Sequence, residues 1–176
     1  TTYQEIIGSL NYAATKTRPD IALAVSLLSS KLKRPTINNL LQAIRTLEYL
    51  ITTKDLGIRY DSVESTITGY ADAAYANREA AKSQIGTALL LCNGAIHWCS
   101  NRTRVVAMSS SEAEYIALSE LGREIKTQLN IYNAINEPVY IPINIFEDNK
   151  STIAMGVSDS YTRRSRHIDV CYHYIR

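Results

Sequence analysis

The hydrophobic period of this chain changes once, near Ile58, and that change limits it to a helical segment followed by a strand-containing domain. Before it, apolar residues recur at three- and four-residue intervals. Thr2 and Glu5 have capping-box spacing ahead of Ile6, Ile7 and Leu10. Arg18-Pro19-Asp20 breaks that helix, since proline lacks the N–H a helix interior uses, and opens a second along Ile21, Ala24, Val25, Leu28 and Leu32. Lys33-Arg34-Pro35 breaks the pattern again. Thr36 is then a good N-cap for a third amphipathic helix, with Ile37, Leu40, Leu41, Ile44, Leu47 and Ile51, ending before Gly57. All three stripes read as core-facing surfaces without chemistry of their own.

Beyond Ile58 the apolar runs are short and bounded by Asn, Gly and charged residues. Ile67 to Ala76, Gln84 to Cys92 and Ala95 to Ser100 read as three strands in a meander. Within Cys92-Asn93-Gly94-Ala95 the Asn-Gly pair marks a hairpin, because it tolerates the left-handed backbone of a tight turn. The serine run Ser109-Ser110-Ser111 opens a long helix through Leu118, Leu121 and Ile125. Val139 to Phe146 reads as a fourth strand and Asn149 to Met155 as a short helix. Ser165 caps a last helix through Ile168, Tyr172 and Ile175. Strands first, then helix and strand in alternation, predict an α/β domain with a mixed sheet over residues 61–176, after a helical segment over 1–60.

Charge and cysteine usage exclude little. Residues 1–60 hold eight Lys/Arg against four Asp/Glu, and residues 61–176 hold eleven against thirteen, so the net +2 divides into +4 and −2. A basic first third suits a phosphate backbone as well as a solvated mixed surface. Cys92, Cys99 and Cys171 have no CxxC pairing and no His at zinc-finger spacing, so they read as small apolar residues in a reducing compartment. No apolar stretch approaches the ~20 residues of a membrane span, and no charged-then-apolar leader is present. A soluble intracellular protein is expected.

Four carboxylates stand at element ends. Asp72 lies within an apolar strand, where an unpaired acid costs desolvation energy. Asp148 follows Ile145-Phe146-Glu147 at a strand's C-terminal end, where α/β sheets gather ligands. Glu114 and Asp169 fall in the first turns of two helices, where negative charge complements the dipole by ~0.3–1 kcal/mol. Each has a bland explanation alone. Together, Asp72 and Asp148 can lie side by side on central strands, with Glu114 and Asp169 reaching them from helices. Four such carboxylates repel one another and persist best around cations. An all-oxygen set suits Mg²⁺ or Mn²⁺, and two ions ~3.5–4 Å apart clamp the attacking water and the leaving oxygen of a phosphodiester cleavage. That spacing does not choose the substrate.

Five ordered blocks do. They are Gly69-Tyr70-Ala71-Asp72-Ala73, Lys82-Ser83-Gln84-Ile85-Gly86, Ser110-Ser111-Glu112-Ala113-Glu114-Tyr115-Ile116-Ala117, Glu147-Asp148-Asn149-Lys150-Ser151, and Ser165-Arg166-His167-Ile168-Asp169 leading to Tyr172-His173-Tyr174-Ile175-Arg176. They resemble the reverse transcriptase–ribonuclease H region of the Copia-type (Pseudoviridae) retrotransposon polyprotein. Ile7-Gly8-Ser9-Leu10-Asn11-Tyr12, Thr17-Arg18-Pro19-Asp20-Ile21-Ala22 and Thr53-Lys54-Asp55-Leu56-Gly57 resemble the helical connection between polymerase and nuclease. The resemblance implies a ribonuclease H-like fold with a mixed β-sheet flanked by helices, preceded by a connection segment. It implies two Mg²⁺ (or Mn²⁺) ions on Asp72, Glu114, Asp148 and Asp169, and cleavage of the RNA strand of RNA–DNA hybrids. Its implied partners are the hybrid and the polymerase part of the same polyprotein, with no membrane, in the cytoplasm (virus-like particles included) or the nucleus.

Glu112 rivals Glu114, being two residues away on nearly the opposite helix face. Both make a capping-box interval with a serine (Ser109 with Glu112, Ser111 with Glu114), and only the resemblance favours Glu114. Ala74 stands where many relatives carry a second Asp outside the ligand set, and Tyr75 supplies the aromatic that follows. No Tyr-x-Asp-Asp polymerase signature occurs, so polymerase activity is not expected of this sequence. His173 is a candidate proton shuttle, or a local helix pair with Asp169; His167 is a weaker one. Arg102, Arg104, Asn149, Arg164 and Arg166 are candidate nucleic-acid contacts, while Trp98 reads as core. Two other classes fit the same residues: a catalytically idle, retrotransposon-derived scaffold or binding module, and another ribonuclease H-like enzyme such as an integrase or resolvase.

Overall fold

The computed structural model describes residues 2–61, 66–75, 82–137 and 139–157. Contacts divide the chain into two compact units, Thr1–Arg59 and Tyr60–Arg176.

The first unit is helical, with α1 (Thr2–Lys16), a 3-10 turn (Pro19–Ile21), α2 (Ala22–Ser29) and α3 (Ile37–Thr52). Ile7, Leu10, Ile21, Val25 and Leu28 bury against one another, and the Tyr3 hydroxyl donates to the Leu28 carbonyl at 2.9 Å inside that core. Thr36 caps α3 as expected: its hydroxyl accepts from the Asn39 N–H while the Asn39 side chain accepts from the Thr36 N–H. Three details differ from the sequence reading. Thr2 is already the first residue of α1. α2 stops at Ser29, so Leu32 packs on the core from the turns beyond it. The apolar residues of α3 also divide between two faces. Ala43 is fully buried with Leu40, Leu47 and Leu50 around it, whereas Ile37 and Ile51 are 80% and 71% exposed. An apolar stripe wider than its contact cannot bury every member, and the small Ala43 marks the close approach.

The second unit is α/β. Its four described strands, β1 (Ile67–Ala74), β2 (Gln84–Leu91), β3 (Gly94–Arg102) and β4 (Asn144–Phe146), form one mixed sheet in the order β3-β2-β1-β4. β1, β2 and β3 are the expected antiparallel meander, and β4 runs parallel to β1. β4 is thus an edge of the described sheet, not a central strand, and it is shorter than Val139 to Phe146. Pro142 has no N–H for a ladder, and Val139 and Ile143 pack on the core from outside the strand. The hairpin turn falls one residue early. Cys92 and Asn93 carry the positive φ values (49° and 62°), and Gly94 already pairs with Leu91.

α4 (Ser110–Ala134) covers one sheet face, its Ala113, Ala117, Leu121 and Ile125 meeting Ile67, Ala71, Ala73 and Leu89 of the strands. At Gly69 the fit is closest: an added Cβ would stand 3.0 Å from Leu121 Cδ2. α5 (Lys150–Val157) is fixed to the start of α4, since the fully buried Thr152 donates to the Ser111 carbonyl at 3.2 Å.

Candidate metal centre

Strand register brings the first two acids together. Gly69 faces Ile145 and Tyr70 faces Phe146 across the parallel β1–β4 pair. Two residues further along each chain stand Asp72 and Asp148. Side chains alternate along β1, so Tyr70 and Asp72 share its exposed face while Ala71 and Ala73 enter the core. The Tyr70 and Phe146 rings stack at 5.2 Å between centroids, an apolar clamp just before the acids.

Glu114 arrives from α4. Ser109 caps that helix by accepting from the Glu112 N–H at 3.1 Å, and the Glu112 carboxylate accepts from the Met108 N–H at 2.7 Å. Glu112 is therefore the capping acid, which the serine spacings alone could not decide. Glu114, 7% exposed, turns inward. Ligand oxygens of Asp72, Glu114 and Asp148 all lie within 4.8 Å of one another, the only such group of three or more among the described residues.

The electrostatics match that crowding. Burial, then the charges of Glu147, Asp72 and Asp148, push the Glu114 carboxyl up to about 7, against one favourable bond from the Ala73 backbone. Glu114 Oε2 is buried, and no hydrogen-bond donor reaches it among the described residues. A bare buried carboxylate oxygen facing two further carboxylates wants a cation, and an all-oxygen donor set suits Mg²⁺ or Mn²⁺. The three residues present fit such an ion.

The sequence reading missed Glu147. It is half-buried, its carboxyl is raised by burial and by Asp148 and Asp72, and its Oε2 also lacks a donor. Two adjacent acids at a strand end, Glu147-Asp148, were the available signal. Asn149 serves locally: its side chain accepts from the Ser151 and Thr152 N–H groups, capping α5, and approaches the Ser111 hydroxyl at 3.5 Å. Arg102 and Arg104 are exposed at the same end of the sheet as the acids, where Ala74, Gln84 and Arg102 stand in register on β1, β2 and β3. Asp169, His167, His173, Arg164, Arg166 and the helix expected after Ser165 lie outside the described residues.

Over 177 residues, 99% of its length, the chain is 34% identical to the retrovirus-related Pol polyprotein from transposon TNT 1-94 of Nicotiana tabacum, of which it spans 13%. It is 39% identical over 128 residues, 71% of its length, to the putative transposon Ty5-1 protein of Saccharomyces cerevisiae, of which it spans 42%. It is also 36% identical over 124 residues, 69% of its length, to the secreted RxLR effector protein 161 of Plasmopara viticola, of which it covers 87%. No protein-family model and no solved structure matches it.

Proposed function

We propose that this chain, which belongs with the Pol polyproteins of retrotransposons, carries a metal-dependent endonuclease that cleaves the RNA strand of RNA–DNA hybrids. One observation carries the reading: Asp72, Glu114 and Asp148, drawn from two strand ends and a helix, converge within 4.8 Å around a buried Glu114 oxygen that no donor among the described residues satisfies.

In this reading Asp72, Glu114 and Asp148 hold the ions, with Asp169 as the fourth ligand. When bound, two Mg²⁺ or Mn²⁺ ions polarise the scissile phosphate and lower the pKa of water. The protein's own work is positional. The β1–β4 register and the Tyr70–Phe146 stack bring Asp72 beside Asp148, and the Thr152–Ser111 bond ties the start of α4, which carries Glu114, to α5, which follows Asp148. Glu114, raised to about 7 without a cation, would have to be deprotonated to hold an ion, so binding there would weaken below neutral pH. Arg102 and Arg104 are placed to steer a phosphate backbone toward the acids, and Arg164 and Arg166 are assigned the same role. His173 stands as the candidate proton carrier. Preference for a hybrid rests on 2′-hydroxyls of one strand and groove shape, without base reading. The partner within the polyprotein is its polymerase part. No described helix is long and apolar enough to cross a membrane.

The test is cleavage of an end-labelled RNA–DNA hybrid in Mg²⁺ or Mn²⁺, beside Asp148→Asn and a duplex-DNA substrate. Metal-dependent RNA cutting that Asp148→Asn abolishes supports the nuclease. A folded chain that neither cuts nor binds Mn²⁺ leaves a retroelement-derived binding module.

A further inference from the structure

We infer that Glu147 is a further working acid of this centre, beyond its direct ligands, holding the hydration shell of the bound cation through its second carboxylate oxygen. The inference rests on the metal-binding reading of Asp72, Glu114 and Asp148. Glu147 stands outside that set of mutually close ligand oxygens, so it is not a direct ligand in this geometry. It is nevertheless tied to the site. Its Oε1 accepts from the Asn149 N–H at 3.1 Å, which fixes the carboxylate plane at the mouth of α5. Its Oε2 is buried and, like Glu114 Oε2, meets no donor among the described residues, and Glu147 bears on Glu114 more strongly than either aspartate does.

Two buried carboxylate oxygens at one site repel each other, and burial costs each of them unless a donor or cation compensates it. A hydrated divalent cation removes both costs. Its charge offsets the acids, and the waters that Mg²⁺ retains supply O–H donors to an oxygen just beyond coordination distance. Groups that orient a metal's surroundings in this way change its affinity by about 10–100-fold when removed. A purely structural Glu147, present only to accept from Asn149, would be replaced by glutamine without consequence, because the amide oxygen accepts the same bond.

Calorimetric titration of the 176-residue chain with Mn²⁺ decides the matter, comparing wild type with Glu147→Gln, Glu112→Gln and Asp148→Asn. Thermal unfolding in EDTA verifies that each variant folds. The expected result is about tenfold weaker Mn²⁺ binding for Glu147→Gln, wild-type affinity for Glu112→Gln, and loss of binding for Asp148→Asn. Glu147→Gln with wild-type affinity, while Asp148→Asn still loses the ion, overturns the role of Glu147 and leaves the metal centre standing. Equal weakening in Glu112→Gln reduces the effect to net charge and overturns it too. Wild type without Mn²⁺ binding overturns the centre itself, and this inference with it.

Discussion

In the first unit the buried charge of Arg18, 8% exposed, is met on every side. Its guanidinium donates to both Asp20 oxygens, to the Thr53 carbonyl at 3.0 Å and to the Thr53 hydroxyl at 2.6 Å, and it lies over the Tyr49 ring. In the second unit Glu114, just as buried, faces three acids and keeps an oxygen that no donor among the described residues reaches. The first arrangement ties the turn before α2 to the end of α3 and is complete as it stands. The second costs stability in the absence of a cation, which is the feature on which the proposed binding site rests. A satisfied charge and an unsatisfied one, in one chain and at equal burial, separate architecture from function.

The largest test of that contrast is Asp148→Asn. If Asp148 is a metal ligand of the proposed nuclease, withdrawing it forfeits several kcal/mol of transition-state charge stabilisation, and hybrid cleavage should fall by ~10³-fold or more. The same change relieves repulsion, so the metal-free protein should unfold at equal or higher temperature. A variant that loses both activity and metal-free stability would place Asp148 with Arg18, as a structural charge.

Titration should divide the units next. Glu114 is raised from 4.5 to about 7, so the folded form holds a proton that the unfolded form has lost between those values. The metal-free second unit therefore loses stability as pH rises from 4.5 to 7, and Mn²⁺ should reverse the trend. Asp20 is lowered from 3.8, first by its bond to Arg18, so its contribution is present above 3.8 and disappears as pH falls through its folded value. Residue-resolved hydrogen exchange in EDTA should show the second unit opening toward neutrality and the first opening only in strong acid. Parallel profiles would erase the contrast.

A smaller effect is expected at Thr53. Thr53→Val removes one acceptor from Arg18 while the Thr53 carbonyl bond remains. A lost bond to a charged group costs about 1.5–3 kcal/mol when buried, and the partial exposure here places the expectation near ~1 kcal/mol by urea denaturation.

Much of this was legible before any coordinates. The period change, the Thr36 cap and the β1–β3 meander follow from spacing alone. Asp72 and Asp148 stood out because an acid in or just after an apolar strand has no ordinary reason to be there. What remained hidden depended on contacts. Glu112 and Glu114 have equivalent intervals to a serine, and only the bond from the Met108 N–H to Glu112 separates them. The short β4 begins only after Pro142, which has no N–H for a ladder, although the apolar run Val139 to Phe146 has the look of one strand. Glu147 escaped because it precedes Asp148 directly and an extended strand turns neighbouring side chains to opposite faces, whereas its charge in fact bears on Glu114.

The smallest expected effect concerns how Glu114 is aimed. Ser109→Ala removes the acceptor of the Glu112 N–H and should destabilise the second unit by ~1 kcal/mol. Ser109→Asp keeps an acceptor and adds negative charge at the positive end of α4, so it should recover most of that loss. Mn²⁺ affinity should stay near wild type in both, because Glu114 is held further in, where Ala113 and Ala117 pack on the sheet and Thr152 holds the Ser111 carbonyl. If Ser109→Ala weakens Mn²⁺ as strongly as Glu147→Gln is expected to, then the first turn of α4 aims the ligand, and the boundary between architecture and site lies inside that helix and not between the two units.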